Sequence, residues 1–111
     1  MLTRISMALV ALLLTLLAPM AAPSSADAAA VHTWDRLARC ESTGRWHIAT
    51  GNGYYGGLQF SPGTWRAFGG HRFARQAHHA TRLQQIKIAE RVKRAQGWGA
   101  WPSCSRRIGL R

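Results

Sequence analysis

Acidic residues are scarce in this sequence. Its 111 residues include four Asp and Glu against 15 Lys and Arg, which gives a formal net charge of +11. Three of the acids, Asp35, Glu41 and Glu90, lie beyond residue 30, so carboxylate chemistry in that region has to use one of them. A surface with this charge attracts polyanions, namely nucleic acid, anionic lipid or the acidic polymers of a cell wall.

Motifs for other kinds of chemistry are missing. No G-x-S-x-G motif indicates a serine hydrolase, and no glycine-rich phosphate loop precedes a predicted helix. The five histidines show no metal-ligand spacing, and no C-x-x-C or H-x-x-x-H pair accompanies the cysteines. The sequence therefore predicts neither a metal site nor a cofactor.

Long apolar runs are absent after the N-terminus. Arg4 precedes an apolar run over residues 5–17, Pro19 ends it, and residues 26–30 offer small-x-small cleavage patterns. We predict a cleaved signal peptide over 1–30 and a single secreted domain over 31–111; an uncleaved membrane anchor is the alternative. No other segment could cross a bilayer, so no stable membrane insertion is expected after cleavage. Secretion also disfavours nucleic acid as a partner.

Only two cysteines are present, Cys40 and Cys104. Export places them where thiols oxidise, so we predict one disulfide between them; two free buried thiols are the alternative. A domain over 31–111 is marginal on its core alone. Closing this loop stabilises it by about 4 kcal/mol in the chain-entropy model.

The pattern of turns and apolar residues predicts a small, mostly helical α+β domain. Thr33 is the expected N-cap of a first helix that ends near Gly44. Asn52-Gly53 predicts a short β-hairpin between residues 46 and 60. Ser61-Pro62 begins a second helix that ends at Gly69-Gly70. Thr81 and Gln84 form a capping box for a third helix ending at Gly97, whose expected inward residues are Leu83, Ile86, Ala89, Val92 and Ala95.

Glu41 is the acid that fits catalysis best. It continues the apolar stripe of Trp34, Leu37 and Ala38 on the first helix, and it follows Cys40 directly. Burial would raise its pKa and keep it protonated as a general acid, although a purely structural Glu41 stays open on the pattern alone.

The other two acids have structural explanations. Asp35 suits the dipole at the start of the predicted first helix. Glu90 lies on the apolar side of the third helix, four residues before Arg94, and a surface pair or a buried salt bridge explains it.

Aromatic residues are numerous for so small a domain. Trp34 and Trp65 are assigned to the core. Tyr54, Tyr55 and Trp98 are flanked by glycine, and flat rings of this kind suit the apolar faces of sugar rings. We therefore predict that at least one of these three binds a glycan.

Four ordered motifs, together with both cysteines, closely resemble those of the resuscitation-promoting factor domain. They are WDRLA at 34–38, CES at 40–42, TGNGYYGGLQF at 50–60 and QGWGAWP at 96–102. The resemblance extends from Trp34 to Leu110. It implies a lysozyme-like, lytic-transglycosylase-like fold and a secreted enzyme that cuts peptidoglycan glycan strands and helps dormant cells to resume growth.

The resemblance also assigns residues. The family's catalytic glutamate falls on Glu41, its disulfide on Cys40 and Cys104, and its cleft residues on Gln59 and Thr64. Two positions depart from many relatives: Arg45 replaces asparagine, and Ser61 replaces an aspartate found in some. Arg45, four residues after Glu41, is expected to lower the pKa of Glu41.

The reaction that the resemblance implies is either hydrolysis or lytic transglycosylation of β-1,4 bonds, since both routes can use a single carboxyl group. The expected partners are glycan strands, anionic wall polymers and another wall hydrolase. Two rival functions stay open: a non-catalytic basic module that binds wall glycan, and a cationic membrane-active protein whose basic helix is 81–96.

Overall fold

A computed structural model describes residues 25–111 and contains four α-helices: α1 (Ser25–Ser42), α2 (Pro62–Ala67), α3 (Arg82–Gln96) and α4 (Pro102–Arg107). Single 3₁₀ turns at Gly70–Arg72, Ala77–His79 and Trp98–Ala100 connect them. None of the helices over 25–111 is long and apolar enough to cross a membrane. Most of the predicted signal peptide lies outside the described residues, and residues 25–30 form the start of α1.

Helix α1 begins eight residues before the predicted N-cap. Thr33 lies inside the helix, and its Oγ1 donates to the carbonyl of Ala29 at 3.1 Å. The alanines of residues 26–30 favour helix strongly enough to extend α1 in the N-terminal direction. The predicted end near Gly44 is confirmed: α1 stops at Ser42, and the N–H of Gly44, whose φ is +75°, donates to the carbonyl of Ala38.

The predicted caps of the next two helices are confirmed. The Oγ of Ser61 accepts from the N–H of Thr64 at 3.2 Å, and Pro62 is the first residue of α2. The capping box of Thr81 and Gln84 is complete at the start of α3.

The inward face of α3 is only partly as predicted. Ile86, Ala89 and Val92 are buried, but Leu83 is 59% exposed and Ala95 is exposed. Gln85 and Ile88 are completely buried in their place, together with the predicted three. The buried face is rotated because the loop over residues 43–60 covers one side of α3 and takes Gln85 into its backbone hydrogen bonds.

The predicted β-hairpin, and with it the α+β class, is wrong. Residues 25–111 contain no strand, and residues 46–60 form only two isolated bridges, Ala49 with Tyr55 and Tyr55 with Phe60. Left-handed backbone at Gly51, Gly53 and Gly56, and again at Gln59, turns the chain too often for successive residue pairs to form a ladder. The domain is helical, with a tightly folded loop between α1 and α2.

One core joins these elements. Its largest fully buried side chains include Trp34, Leu37, Leu58, Trp65 and Ile88. The Trp34 ring lies 4.9 Å from that of Trp98 and 5.1 Å from that of Trp101, so α1 packs directly on the C-terminal segment.

Both structural acids have partners that the sequence did not predict. Asp35 lies in the middle of α1, where the helix dipole does not explain it. Its Oδ1 accepts from Nε of Arg82 at 2.7 Å and its Oδ2 accepts from Nη2 at 2.5 Å. Glu90 accepts from the indole Nε1 of Trp34 at 2.6 Å, and no pair with Arg94 forms. Each acid thus ties α1 to α3.

The predicted disulfide is confirmed. Cys40 and Cys104 are bonded, with their Cα atoms 5.7 Å apart, and they lie 64 positions apart in the sequence. The bond joins the last turn of α1 to α4. It therefore fixes the segment that carries Glu41 against the segment that carries Ser103.

Gln85 braces the loop over residues 43–60 from behind. Its Oε1 accepts from the N–H of Gly57 at 2.9 Å. Its Nε2 donates to the carbonyls of Trp46 at 2.8 Å and Ala80 at 3.1 Å. A fully buried side chain therefore satisfies three backbone groups, two in the loop and one just before α3.

Replacing Gln85 by Ala is expected to lower the free energy of unfolding by about 2–4 kcal/mol, because three backbone groups lose their partner inside the protein. Urea unfolding followed by circular dichroism measures this change. Gln84→Ala is the matched control: it removes the neighbouring amide from an exposed capping box and should cost only about 1 kcal/mol. Equal losses for the two variants would show that Gln85 does not brace the loop.

Candidate functional site

A cleft of about 290 Å³ opens beside the end of α1. Its lining comes from three parts of the chain: Glu41 from α1, Tyr54 and Gln59 from the loop, and the segment from Ala100 to Ser103. The disulfide brings the first and third parts together, because Cys40 precedes Glu41 and Cys104 follows Ser103.

Glu41 is half-buried in this cleft, and burial raises the pKa of its carboxyl group. Within residues 25–111, its carboxylate has no hydrogen-bond or ion-pair partner. The direction of this shift is opposite to the lowering expected from Arg45, and burial is its cause. Arg45 instead donates from Nε to the carbonyl of Ser42 at 3.0 Å, at the end of α1.

Gln59 faces the cleft from a strained backbone position. Its φ is +55°, in the left-handed region that non-glycine residues seldom adopt. Its side chain is held at both ends, with Nε2 donating to the carbonyl of Gly56 at 3.0 Å and Oε1 accepting from Asn52 Nδ2 at 3.2 Å. Such a conformation costs on the order of 1–3 kcal/mol and persists only where the surroundings enforce it.

Two glycines allow the loop to lie close to its supports. A Cβ on Gly56 would lie 2.4 Å from the Oε1 of Gln85, and one on Gly57 would lie 2.4 Å from the Trp46 ring. The backbone that carries Gln59 therefore needs glycine at both positions.

A second, smaller hollow of about 90 Å³ continues the cleft and shares Tyr54, Gln59, Ala100 and Trp101 with it. Thr64 lines this hollow. Its Oγ1 accepts from the Oγ of Ser61 at 3.0 Å, so both hydroxyl groups lie at the start of α2. Glu41, Gln59 and Thr64 thus lie along one extended groove.

The three predicted sugar-binding aromatics have different surroundings. Tyr54 is 50% exposed and lines both hollows. Tyr55 is half-buried and stacks on His78, with ring centroids 5.1 Å apart. Trp98 packs on Trp34 and lies under the Nζ of Lys93 at 4.5 Å. Neither Tyr55 nor Trp98 is among the residues that line the groove.

Sequence reasoning missed the far wall of the groove. Trp101 lines both hollows and is nearly buried, and its Nε1 donates to the carbonyl of Leu58 at 3.0 Å. Pro102 and Ser103 complete the wall next to Glu41. A signal was available, because a disulfide to Cys40 requires the residues just before Cys104 to lie near Glu41.

Residues 25–111 offer no group of three or more His, Cys, Asp or Glu side chains that could hold a metal ion. The described lining of the groove offers one carboxyl group with amide, hydroxyl and aromatic neighbours.

Comparison with known proteins matches residues 28–104 to the model of the transglycosylase-like domain. The match includes Glu41, both cysteines and the whole groove. This chain belongs to the transglycosylase-like family. The resemblance found in the sequence is thereby confirmed.

Relatives of this family member are resuscitation-promoting factors. This chain is 59% identical over 96 residues to a resuscitation-promoting factor from Corynebacterium glutamicum, and the alignment covers 86% of this chain and 47% of the relative. It is 55% identical over 85 residues to a resuscitation-promoting factor from Micrococcus luteus, and that alignment covers 77% of this chain and 37% of the relative. It is 58% identical over 74 residues to resuscitation-promoting factor RpfE of Mycobacterium tuberculosis, covering 67% and 41%. The chain thus spans less than half the length of these three relatives.

Proposed function

We propose that this transglycosylase-like protein is a secreted enzyme that cuts β-1,4 glycosidic bonds in the glycan strands of peptidoglycan, with Glu41 as its proton donor. The single observation that carries the proposal is the position of Glu41: half-buried in a groove, without a cationic partner and with a raised pKa. A carboxyl group in this state keeps its proton closer to neutral pH than a solvated one.

The mechanism requires a single carboxyl group. Asp35 is bound to Arg82 and Glu90 to Trp34. Among residues 25–111, Glu41 is the one acid that lines the groove. Glu41 donates its proton to the glycosidic oxygen as the bond to the leaving sugar breaks. After this proton transfer, the reaction can be completed by two routes.

In one route, the acetamido oxygen of the sugar attacks C1 in place of an enzyme nucleophile as the leaving sugar departs. The sugar's own 6-hydroxyl then displaces this oxygen from C1 and gives its proton to the ionised Glu41, which yields a 1,6-anhydro product. In the other route, the ionised Glu41 accepts a proton from water, which adds to C1 and gives a reducing end. Proton transfer from Glu41 contributes about 10²–10⁴-fold to the rate in either route.

The groove offers contacts suited to a sugar chain. The exposed ring of Tyr54 can stack on the apolar face of a pyranose, and the amide of Gln59 and hydroxyl of Thr64 can bond its hydroxyl and acetamido groups. We assign substrate binding to these three residues. Tyr55 and Trp98 support residues that line the groove. The backbone of Tyr55 forms a bridge with that of Phe60, and the Trp98 ring packs near the Trp101 ring.

The names of the relatives extend the proposal to physiology: we assign to the whole protein the promotion of resuscitation of dormant cells through cell-wall remodelling. The disulfide supports secretion, because such bonds persist outside the reducing cytoplasm.

Mass spectrometry of the fragments that the purified protein releases from peptidoglycan tests the proposal. Glycan fragments with 1,6-anhydro ends would indicate transglycosylation, and fragments with reducing ends would indicate hydrolysis. Release of no fragments, with the protein bound to the wall, would favour the non-catalytic binding module.

The pH dependence of cleavage follows from the raised pKa of Glu41. The protonated carboxyl is the active form, so kcat/KM should be highest below this pKa and fall about tenfold per pH unit above it. Because the pKa is raised, this fall should begin at a higher pH than for a solvent-exposed glutamate. Initial rates on an uncharged chitooligosaccharide give the profile without surface-charge effects. Activity that rises through this pH range would contradict the role of Glu41 as the acid.

A further inference from the structure

Two shallow basic hollows continue the line of the groove on its α4 side. The first, of about 640 Å³, shares Pro102 and Ser103 with the Glu41 cleft and is otherwise lined by Arg106, Arg107 and Arg111. The second, of about 400 Å³, shares Arg107 with the first and is lined by Arg36, Arg39, Cys40 and Ile108. The five arginines, 36, 39, 106, 107 and 111, are called the arginine track below.

Two arginines of the track are held in place. Arg36 donates from Nη2 to the carbonyl of Ile108 at 2.8 Å, which ties α1 to the end of α4. Arg111 donates from Nε to the Oγ of Ser105 at 2.8 Å and from Nη2 to the carbonyl of Pro102 at 2.9 Å. One fixed positive charge therefore lies in each of the two hollows.

The other three arginines have no partner. Among residues 25–111, no hydrogen bond or ion pair involves the guanidinium groups of Arg39, Arg106 or Arg107. Of the described residues, no Asp or Glu lines either hollow. The three acids of residues 31–111 lie elsewhere. Glu41 lines the cleft, Asp35 pairs with Arg82, and Glu90 accepts a hydrogen bond from Trp34.

Five like charges in adjoining hollows repel one another, and a bound anion relieves this repulsion. Arg82, by contrast, is already paired with the carboxylate of Asp35. Guanidinium groups bind phosphate and carboxylate through two parallel hydrogen bonds. A row of them over two connected hollows suits a chain with repeated anionic groups better than a single terminal charge.

We propose that the arginine track binds a linear anionic polymer of the cell wall, with repeated phosphodiester or carboxylate groups, alongside the glycan strand in the groove. The proposal rests on the proposed function for its choice of a wall polymer. The shared residues Pro102 and Ser103 make the track continuous with the cleft, so one wall fragment can occupy both. The anionic polymer would hold the enzyme on the wall while the glycan is cut.

The test compares two triple variants with equal loss of charge. R39Q/R106Q/R107Q removes the three unpartnered charges of the track. R72Q/R75Q/R94Q removes three exposed charges from the turns after α2 and from α3, and it is the matched control. Binding of fluorescent poly(glycerol phosphate) and of fluorescent polygalacturonate is measured by anisotropy from 50 to 200 mM salt.

The track variant should lose at least about tenfold in affinity at 50 mM salt. The slope of log affinity against log salt concentration should become less negative by roughly 2–3, which is the change expected when three anion contacts are lost. The control variant should stay within about twofold of the parent. The polymer that the parent binds more tightly identifies phosphate or carboxylate as the natural group.

Equal losses for the two triple variants would overturn the proposal, since net charge alone would then explain binding. Tighter binding of a single-stranded oligodeoxythymidylate than of either polymer would also overturn it. Cleavage of an uncharged chitooligosaccharide should be unchanged in both variants. If the parent fails to cleave this substrate, the proposed function is wrong. The difference in polymer affinity between the two variants still tests the proposal for the arginine track.

Discussion

Replacing Glu41 by Gln is expected to reduce glycan cleavage by about 10²–10⁴-fold, which ends detectable release of fragments from the wall. Gln keeps the size and polarity of the side chain but has no proton that it can give to the leaving oxygen. Among residues 25–111, no other acid lines the groove, so no neighbouring carboxyl group can replace Glu41.

The fold should survive this change. The Glu41 carboxylate makes no hydrogen bond within residues 25–111, and removing a half-buried group that ionises at a cost should leave stability equal or slightly higher at neutral pH. Glu90→Gln is the matched control, because it removes one negative charge but leaves an oxygen that can accept from Trp34. Cleavage by E41Q at the parent's rate would mean that Glu41 is structural.

Removal of the disulfide has the second largest expected effect. In the double variant C40A/C104A, the free energy of unfolding should fall by about 4 kcal/mol, because a loop of 64 residues is no longer closed in the unfolded chain. For a domain of this size, such a loss lowers Tm by on the order of 20 °C. Cleavage should fall as well, since the bond lies directly beside Glu41 and Ser103 on opposite sides of the cleft.

Thermal unfolding of the double variant and of the parent, each with and without a reductant, measures this effect. Reduction should bring the parent down to the Tm of the variant and leave the variant unchanged. A parent whose Tm does not respond to complete reduction would show that the core alone stabilises the domain. Thiol titration of the unreduced, denatured parent should find no free cysteine.

Local sequence signals were sufficient for several parts of this structure. The caps at Ser61 and Thr81 depend on side chains that bond the backbone three residues away, so their pattern is visible in a short window. The position of Glu41 on the apolar stripe of α1 is equally local. The disulfide needed only the count of cysteines and the inference of export.

The errors arose where distant segments decide. The N-terminal start of α1 was missed because Thr33 has the chemistry of a cap, whereas the alanines before it favour continued helix. The buried Gln85 and the exposed Leu83 could not be predicted from helical periodicity, because the loop that covers one side of α3 lies some 30 positions earlier. Asn52-Gly53 does mark a turn, but the glycines after it prevent a ladder.

The groove shows the same division. Tyr54 and Tyr55 are adjacent residues of the same type, and glycine flanks the pair, so the sequence does not distinguish them. In the structure, Tyr54 lines the groove and Tyr55 stacks on His78. Which of the two faces outward depends on the backbone turns at Gly53 and Gly56. Trp101 was not chosen as a site residue because its place on the wall follows from the packing of α4 against α1.

The disulfide between the two walls of the cleft also sets an order in time. Cys40 and Glu41 leave the ribosome early, whereas Cys104 follows Cys40 by 64 positions, which at typical elongation rates is roughly 3–12 s of further synthesis. Until then Glu41 has no pocket, so burial does not raise the pKa of its carboxyl group. Under the proposed function, a nascent chain is therefore harmless to glycan, and cutting requires both walls to have met in the folded, oxidised domain.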